Sequence, residues 1–158
     1  MKKILLFLLF SVSCLAQENN FSITNDNIIW ENVFITSQTN IPELLSRHSR
    51  IKIASASGSL YKGTGTGIRN KCAGTSDYMS REFNFDFEIE ISEGKYRVTV
   101  FNIKYAEKPK KAAFTKLEKF LLENNAMKQD AKANNDIMCL NTYFNRTFTN
   151  TMVFKNKS

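Results

Sequence analysis

From Phe83 to Ile91 apolar and polar side chains alternate strictly. Phe83, Phe85, Phe87, Ile89 and Ile91 are separated by Asn84, Asp86, Glu88 and Glu90, with Glu82 just ahead. A period of two places one set against a core and the other in water, which predicts a strand. Ser92-Glu93-Gly94-Lys95 supplies a turn, and the β-formers of Tyr96–Ile103 return antiparallel. On such a hairpin the acidic side chains face Lys95 and Arg97, each pair adding a few tenths of a kcal/mol.

The flanking patterns extend this picture. Residues 17–27 are polar and aperiodic and read as a tether, whereas Ile28–Thr36 is rich in β-formers and reads as a strand. Asn40-Ile41-Pro42-Glu43 has the capping residue, early proline and acidic third position of a helix start, and a short helix follows through Leu44, Leu45 and Arg47. Ile51–Ala56 and Ser59–Ile68 flank Gly58 as a second hairpin, and 70–78 has turn composition. Lys104–Lys111, containing Pro109, reads as a charged connector. Phe114, Leu117, Phe120 and Leu121 fall at helical spacing, as do Ile137, Leu140, Phe144, Phe148 and Met152, with a break or loop over Asn124–Asn135. Strands followed by helices indicate an α+β fold, an antiparallel sheet with helices packed on one face.

The Ile-Trp-Glu-Asn-Val-Phe strand from Ile29, the short helix, the Gly-containing strands and the Phe-Asn-Phe-Asp-Phe…Gly-Lys-Tyr-Arg-Val-Thr-Val hairpin lead into C-terminal helix. This order resembles an uncharacterised family of exported bacterial domains with a TATA-binding-protein-like fold, from about Ile28 to the C-terminus. The resemblance implies a curved antiparallel sheet with helices on one side. It carries over no catalytic residues, and a shared fold does not imply DNA binding.

The N-terminus changes the setting. Met1-Lys2-Lys3 precedes the apolar run Ile4–Phe10 and the small-residue exit Ser11-Val12-Ser13-Cys14-Leu15-Ala16. That is the layout of a secretory signal over residues 1–16. The run is short of the roughly 20 residues that a permanent transmembrane helix needs. Cleavage after Ala16 starts the mature chain at Gln17; alternatively, Val12-Ser13-Cys14 resembles the end of a lipobox and would leave a lipidated Cys14. Simple cleavage is favoured, because Ser11 stands where lipoprotein signals carry Leu. About 140 residues remain, enough for one core, so 28–158 is expected as a single α+β domain.

Charge and chemistry then narrow the function. Of 22 Lys and Arg against 15 Asp and Glu, Lys2 and Lys3 leave with the leader, reducing the net charge from +7 to about +5. Outside the cytoplasm this favours anionic envelope polymers, lipid headgroups or an acidic partner over nucleic acid; membrane attachment is expected only with lipidation at Cys14. Lys108, Lys110 and Lys111 form the densest basic cluster and are the candidate contact to an anionic surface, with a solvated connector as the plainer reading. Cys72 and Cys139 are free to form a disulfide in an oxidising compartment, while the apolar helical setting of Cys139 suits a buried free thiol.

The remaining motifs are weak. His48 is the sole histidine and is expected in solvent, without metal or catalytic work. Gly63-Thr64-Gly65-Thr66-Gly67 lacks the spacing and following helix of a phosphate loop and reads as a strand relieved of crowding. The row Glu82, Asp86, Glu88 and Glu90 reads as a solvated strand face rather than a catalytic carboxylate pair. No cofactor is implied. These features point to a non-enzymatic envelope module that binds an envelope component or a protein. The alternatives are a carrier of a small apolar ligand between sheet and helices, for which the 13 phenylalanines argue, or a hydrolase.

Overall fold

The computed structural model describes residues 20–36, 40–108 and 111–149. Its centre is the hairpin of β5 (Phe83–Ser92) and β6 (Lys95–Lys108), paired with Ile89 opposite Val98 and Glu90 opposite Arg97. Outward lie β4 (Leu60–Ile68) and β3 (Ile51–Ser57) on one side, and β2 (Asn27–Ile35) and β1 (Phe21–Thr24) on the other. All neighbours are antiparallel. Phe83, Phe85, Phe87 and Ile89 are at most 1% exposed, so the alternation fixes which face of the sheet is covered.

That face is covered by α3 (Ala131–Thr149), with α1 (Ile41–Ser46) and the single turn α2 (Glu118–Leu121) adding Leu45 and Leu121 to the same core. Asp130 starts α3 by accepting the amides of Lys132 at 2.9 Å and Ala133 at 3.0 Å, an N-cap arrangement. The interface is aromatic: ring centroids of Phe85 and Phe144 lie 5.1 Å apart, those of Phe87 and Phe148 5.5 Å, and those of Trp30 and Phe144 5.3 Å. These are edge-to-face and tilted contacts at the spacings aromatic pairs favour. Polar ties set the helix against β2, since Trp30 Nε1 donates to Asn141 Oδ1 at 2.8 Å and Asn32 Nδ2 to Asn145 Oδ1 at 2.6 Å.

The glycines of β4 belong to this packing. A methyl at Gly63 would overlap the Phe87 ring and the Lys52 carbonyl, and one at Gly65 would overlap the Phe85 ring. The strand therefore lets the phenylalanine rings lie against its backbone, as its glycine pattern suggested. The opposite face of the sheet is polar. Glu90 meets Arg97 at 3.7 Å as expected of the hairpin, but Lys95 lies opposite Ser92, and Glu88 instead finds Lys62 of β4 at 2.6 Å.

Four segments differ from their expected form. Within the tether, Phe21–Thr24 is strand β1, joined to β2 through Asn25 (φ 50°) and Asp26 (φ 60°). Two such positive φ values make the tight hairpin turn whose twist matches the strands. The expected connector from Lys104 is the second half of β6, where the alternation continues through buried Ile103 and Tyr105. The helix expected from Phe114 is mostly strand β7 (Lys111–Lys116), which pairs with that half of β6, with Ala106 opposite Phe114; helix is confined to α2. The break or loop expected over Asn124–Asn135 is there but more ordered: Asn124-Asn125 turns between the two-residue strands β8 (Leu122–Glu123) and β9 (Ala126–Met127), and the first turn of α3 already begins at Ala131. Met152 of the expected helical stripe lies outside the described residues.

Bulges shape the sheet. Near Asn102, which has φ 53°, β6 carries one residue more than β5. The first half of β6 pairs with β2 and the second with β7, both along the edge opposite β5. An extra residue of this kind bends the strand and increases its twist, so the bulge is where β6 passes from one neighbour to the other.

Candidate functional site

A second bulge builds a cleft. Ile51–Ser57 and Leu60–Ile68 pair up to Gly65, and beyond it the Thr66 amide donates to the Arg50 carbonyl at 3.0 Å. The chain then turns at Gly67, whose φ of 65° suits glycine and whose amide donates to Asn84 Oδ1 at 2.8 Å. Register with β5 resumes at Ile68, opposite Phe83. Asn84 thus caps the bulge, and the glycine leaves room for the Arg50 guanidinium, which a Cβ there would strike.

Around this glycine opens a cleft of about 520 Å³, lined by His48, Arg50, Ile68, Arg69, Glu82 and Tyr143. His48 and Arg50 come from the turn after α1, held by the His48 amide on the Leu45 carbonyl at 2.9 Å and the Ile51 amide on the His48 carbonyl at 3.0 Å. Arg69 follows β4, Glu82 precedes β5, and Tyr143 comes from α3, its ring packed edge-on against Phe83 at 5.5 Å. Among the described residues neither Arg50, Arg69 nor Glu82 forms an ion pair within 4 Å. The cleft therefore gathers two arginines and one carboxylate, with the Arg50 guanidinium and Glu82 Oε1 both close to Gly67.

His48 is exposed, as expected, but faces this cleft. Partial burial holds its pKa below the usual 6.5, so the ring is neutral at pH 7. Its Nδ1 lies 3.4 Å from the Arg50 amide as acceptor, leaving the proton on Nε2. Tyr143 is protonated at neutral pH, its pKa raised above 10.0 chiefly by burial. The set supplies donors and one acceptor; nothing in it is poised as a nucleophile with a base.

The other sequence candidates lie elsewhere. Of the acidic row only Glu82 reaches the cleft; Glu88 and Glu90 pair with Lys62 and Arg97, and Asp86 accepts from Asn102 Nδ2 at 2.6 Å. Asp86 and Asn102 line a separate groove of about 380 Å³ on the polar face, with Thr24, Asn27, Ile29 and Phe101. Cys139, expected as a buried free thiol in its apolar setting, is bonded to Cys72 with Cα atoms 6.0 Å apart. Asn70 Nδ2 to the Cys139 carbonyl at 3.2 Å, Asn135 Nδ2 to the Gly74 carbonyl at 3.0 Å and the Ser76 amide to Asp136 Oδ1 at 2.7 Å stitch the same loop to α3. Cys14 and Lys110 lie outside the described residues, as do the side chains of Lys108 and Lys111.

Sequence reasoning passed over Arg50 and Arg69, since single arginines in loops carry no motif. The available signal was Gly67, a glycine beyond those the ring packing of β4 requires. Among the described residues no helix is long and apolar enough to cross a membrane, and no three metal-ligating side chains cluster.

No family model and no curated protein matches the chain. Two solved structures are similar in fold. A TBP-like protein from Parabacteroides distasonis aligns with a TM-score of 0.57 at 13% identity, over 85% of this chain and 97% of that one. A DUF4468 family protein from Bacteroides ovatus aligns with a TM-score of 0.55 at 10% identity, over 88% of this chain and 94% of that one. At such identities the likeness is one of architecture, and on that architecture the chain is an α+β domain of the TBP-like fold.

Proposed function

We propose that this is an exported cell-envelope protein that works as a non-enzymatic binding module. The observation that carries the reading is where the molecule spends its apolar surface. Phe85, Phe87, Phe144, Phe148 and Trp30 fill the layer between sheet and helix with one another, while the cleft at Gly67 sets Arg50, Arg69, Glu82 and His48 beside Ile68 and Tyr143 and opens to solvent. A carrier of an apolar ligand needs a vacant apolar chamber of at least about 300 Å³. Here the rings that suggested one occupy that layer themselves.

Two features support export. Residues 1–16 have the layout of a secretory signal, and the Cys72–Cys139 bridge is of the kind that persists in oxidising compartments. A hydrolase working through paired carboxylates would need a second acid beside Glu82, and the cleft offers arginines there instead.

Crosslinking in the native host, followed by identification of the adduct, tests the reading. The expected product joins this chain to an envelope polymer or envelope protein. Turnover of a substrate that disappears with one polar substitution in the cleft would overturn it. Repeated copurification of an apolar molecule, seen by native mass spectrometry, would favour the carrier instead.

A further inference from the structure

The geometry points to the cleft at Gly67 as a recognition site for an acidic saccharide, a polyhydroxylated ligand bearing a carboxylate or phosphate. This rests on the reading of the chain as a binding module and adds the place and the ligand class. The first argument is charge. Arg50 and Arg69 line one concavity with a single carboxylate, Glu82, and neither forms an ion pair within 4 Å among the described residues, whereas Arg47, Lys62 and Arg97 each meet a glutamate within 4 Å. A guanidinium presents parallel N–H donors that match the two oxygens of a carboxylate or phosphate.

The second argument is construction. The Arg50 guanidinium lies over Gly67 where a side chain would collide with it, and Gly67 is held at φ 65° by the Asn84 cap. Backbone geometry and a buttressing side chain thus hold space for the charged group. The third argument is the remaining inventory. Neutral His48 offers Nε2–H as a donor, Glu82 accepts from a hydroxyl, and Tyr143 adds a ring edge beside Ile68. An anion surrounded by hydroxyl groups uses all of these, and a bare inorganic ion would leave Glu82 opposed to it.

The test is chemical-shift mapping of the full chain, disulfide intact, titrated with D-galacturonate, D-glucose 6-phosphate or D-glucose. At least one charged sugar is expected to shift the guanidinium signals of Arg50 and Arg69 and the ring signals of His48, while glucose leaves them in place. Which charged sugar binds distinguishes a uronate-bearing from a phosphorylated source. Arg50→Gln and Arg69→Gln should each weaken binding by roughly tenfold or more, as loss of a charge-assisted pair does. Lys62→Gln, the same change of charge on the far face, should leave it unchanged. Gly67→Ala keeps both charges and should weaken binding by displacing Arg50, with the melting temperature confirming a folded variant.

Failure of both charged sugars, equal binding of glucose, or an equal loss in Lys62→Gln overturns the assignment. If crosslinking in the host still yields an envelope partner, only the cleft assignment falls. Charged sugars that bind while no partner is recovered would leave the cleft standing and remove only the macromolecular envelope partner.

Discussion

At the scale of single residues, the neighbours of Gly63 and Gly65 make different predictions for the same substitution. The atoms nearest a methyl at Gly65 are side-chain atoms, of the Phe85 ring and the tip of Ile68, whereas one at Gly63 would also meet the Lys52 carbonyl of the adjacent strand. Overpacking of this kind costs about 1–3 kcal/mol, so Gly65→Ala and Gly63→Ala should both lower the urea midpoint. Shortening the ring should separate them. Phe85→Leu is expected to recover part of the loss in Gly65→Ala, because the obstacle is a side chain that can be trimmed. Phe87→Leu should do little for Gly63→Ala, because the backbone carbonyl stays. Equal recovery at both sites in the double-mutant cycles would show that the backbone contact at Gly63 is not the obstacle.

At the scale of elements, the seam between β2 and α3 is reported by the only tryptophan of the chain. Trp30 is fully buried and its indole N–H has Asn141 Oδ1 as acceptor, which also receives Asn145 Nδ2 at 3.1 Å. Asn141→Ala removes the acceptor and leaves a buried donor unsatisfied, at about 1–3 kcal/mol. Equilibrium unfolding followed by Trp30 fluorescence should show that loss, and an unchanged midpoint would mean that water replaces the amide. The elements also show which signals the sequence carried. The β5–β6 hairpin was legible because ten residues alternate without exception, and α3 because its apolar positions repeat over several turns. β1 and the β8–β9 hairpin were not, although Asn25-Asp26 and Asn124-Asn125 are turn pairs with positive φ. Strands of four and two residues are too short to show a period beside them. The spacing of Phe114, Leu117, Phe120 and Leu121 fits a helix, but it equally fits a strand running into one turn: Phe114 is 38% exposed while Leu117 and Leu121 are buried. The cleft was illegible for a related reason, because its parts come from four separate segments that the fold brings together and no local pattern joins.

At the scale of the whole molecule, the disulfide decides how much stability depends on the compartment. Cys72 and Cys139 are 67 positions apart, and in the chain-entropy account closing a loop of that size destabilises the unfolded state by roughly 4 kcal/mol. A domain is typically stable by about 5–15 kcal/mol in total, so reduction should remove a large share. The native fold itself has reason to persist, since Asn70, Gly74 and Ser76 remain hydrogen-bonded to α3 around the broken bridge. Reduction, or the paired Cys72→Ser and Cys139→Ser substitutions, should therefore leave the far-ultraviolet circular dichroism unchanged in dilute buffer. The urea midpoint should fall, and the slope of the transition should rise, because the uncrosslinked chain exposes more surface when it unfolds. A native spectrum that changes on reduction would place the effect in the folded state instead. An unchanged midpoint would mean that the loop is held by its hydrogen bonds alone and that the bridge adds no stability. With the expected loss, the reduced chain is the form closest to unfolding, and an oxidising environment is where this sequence reaches its full stability.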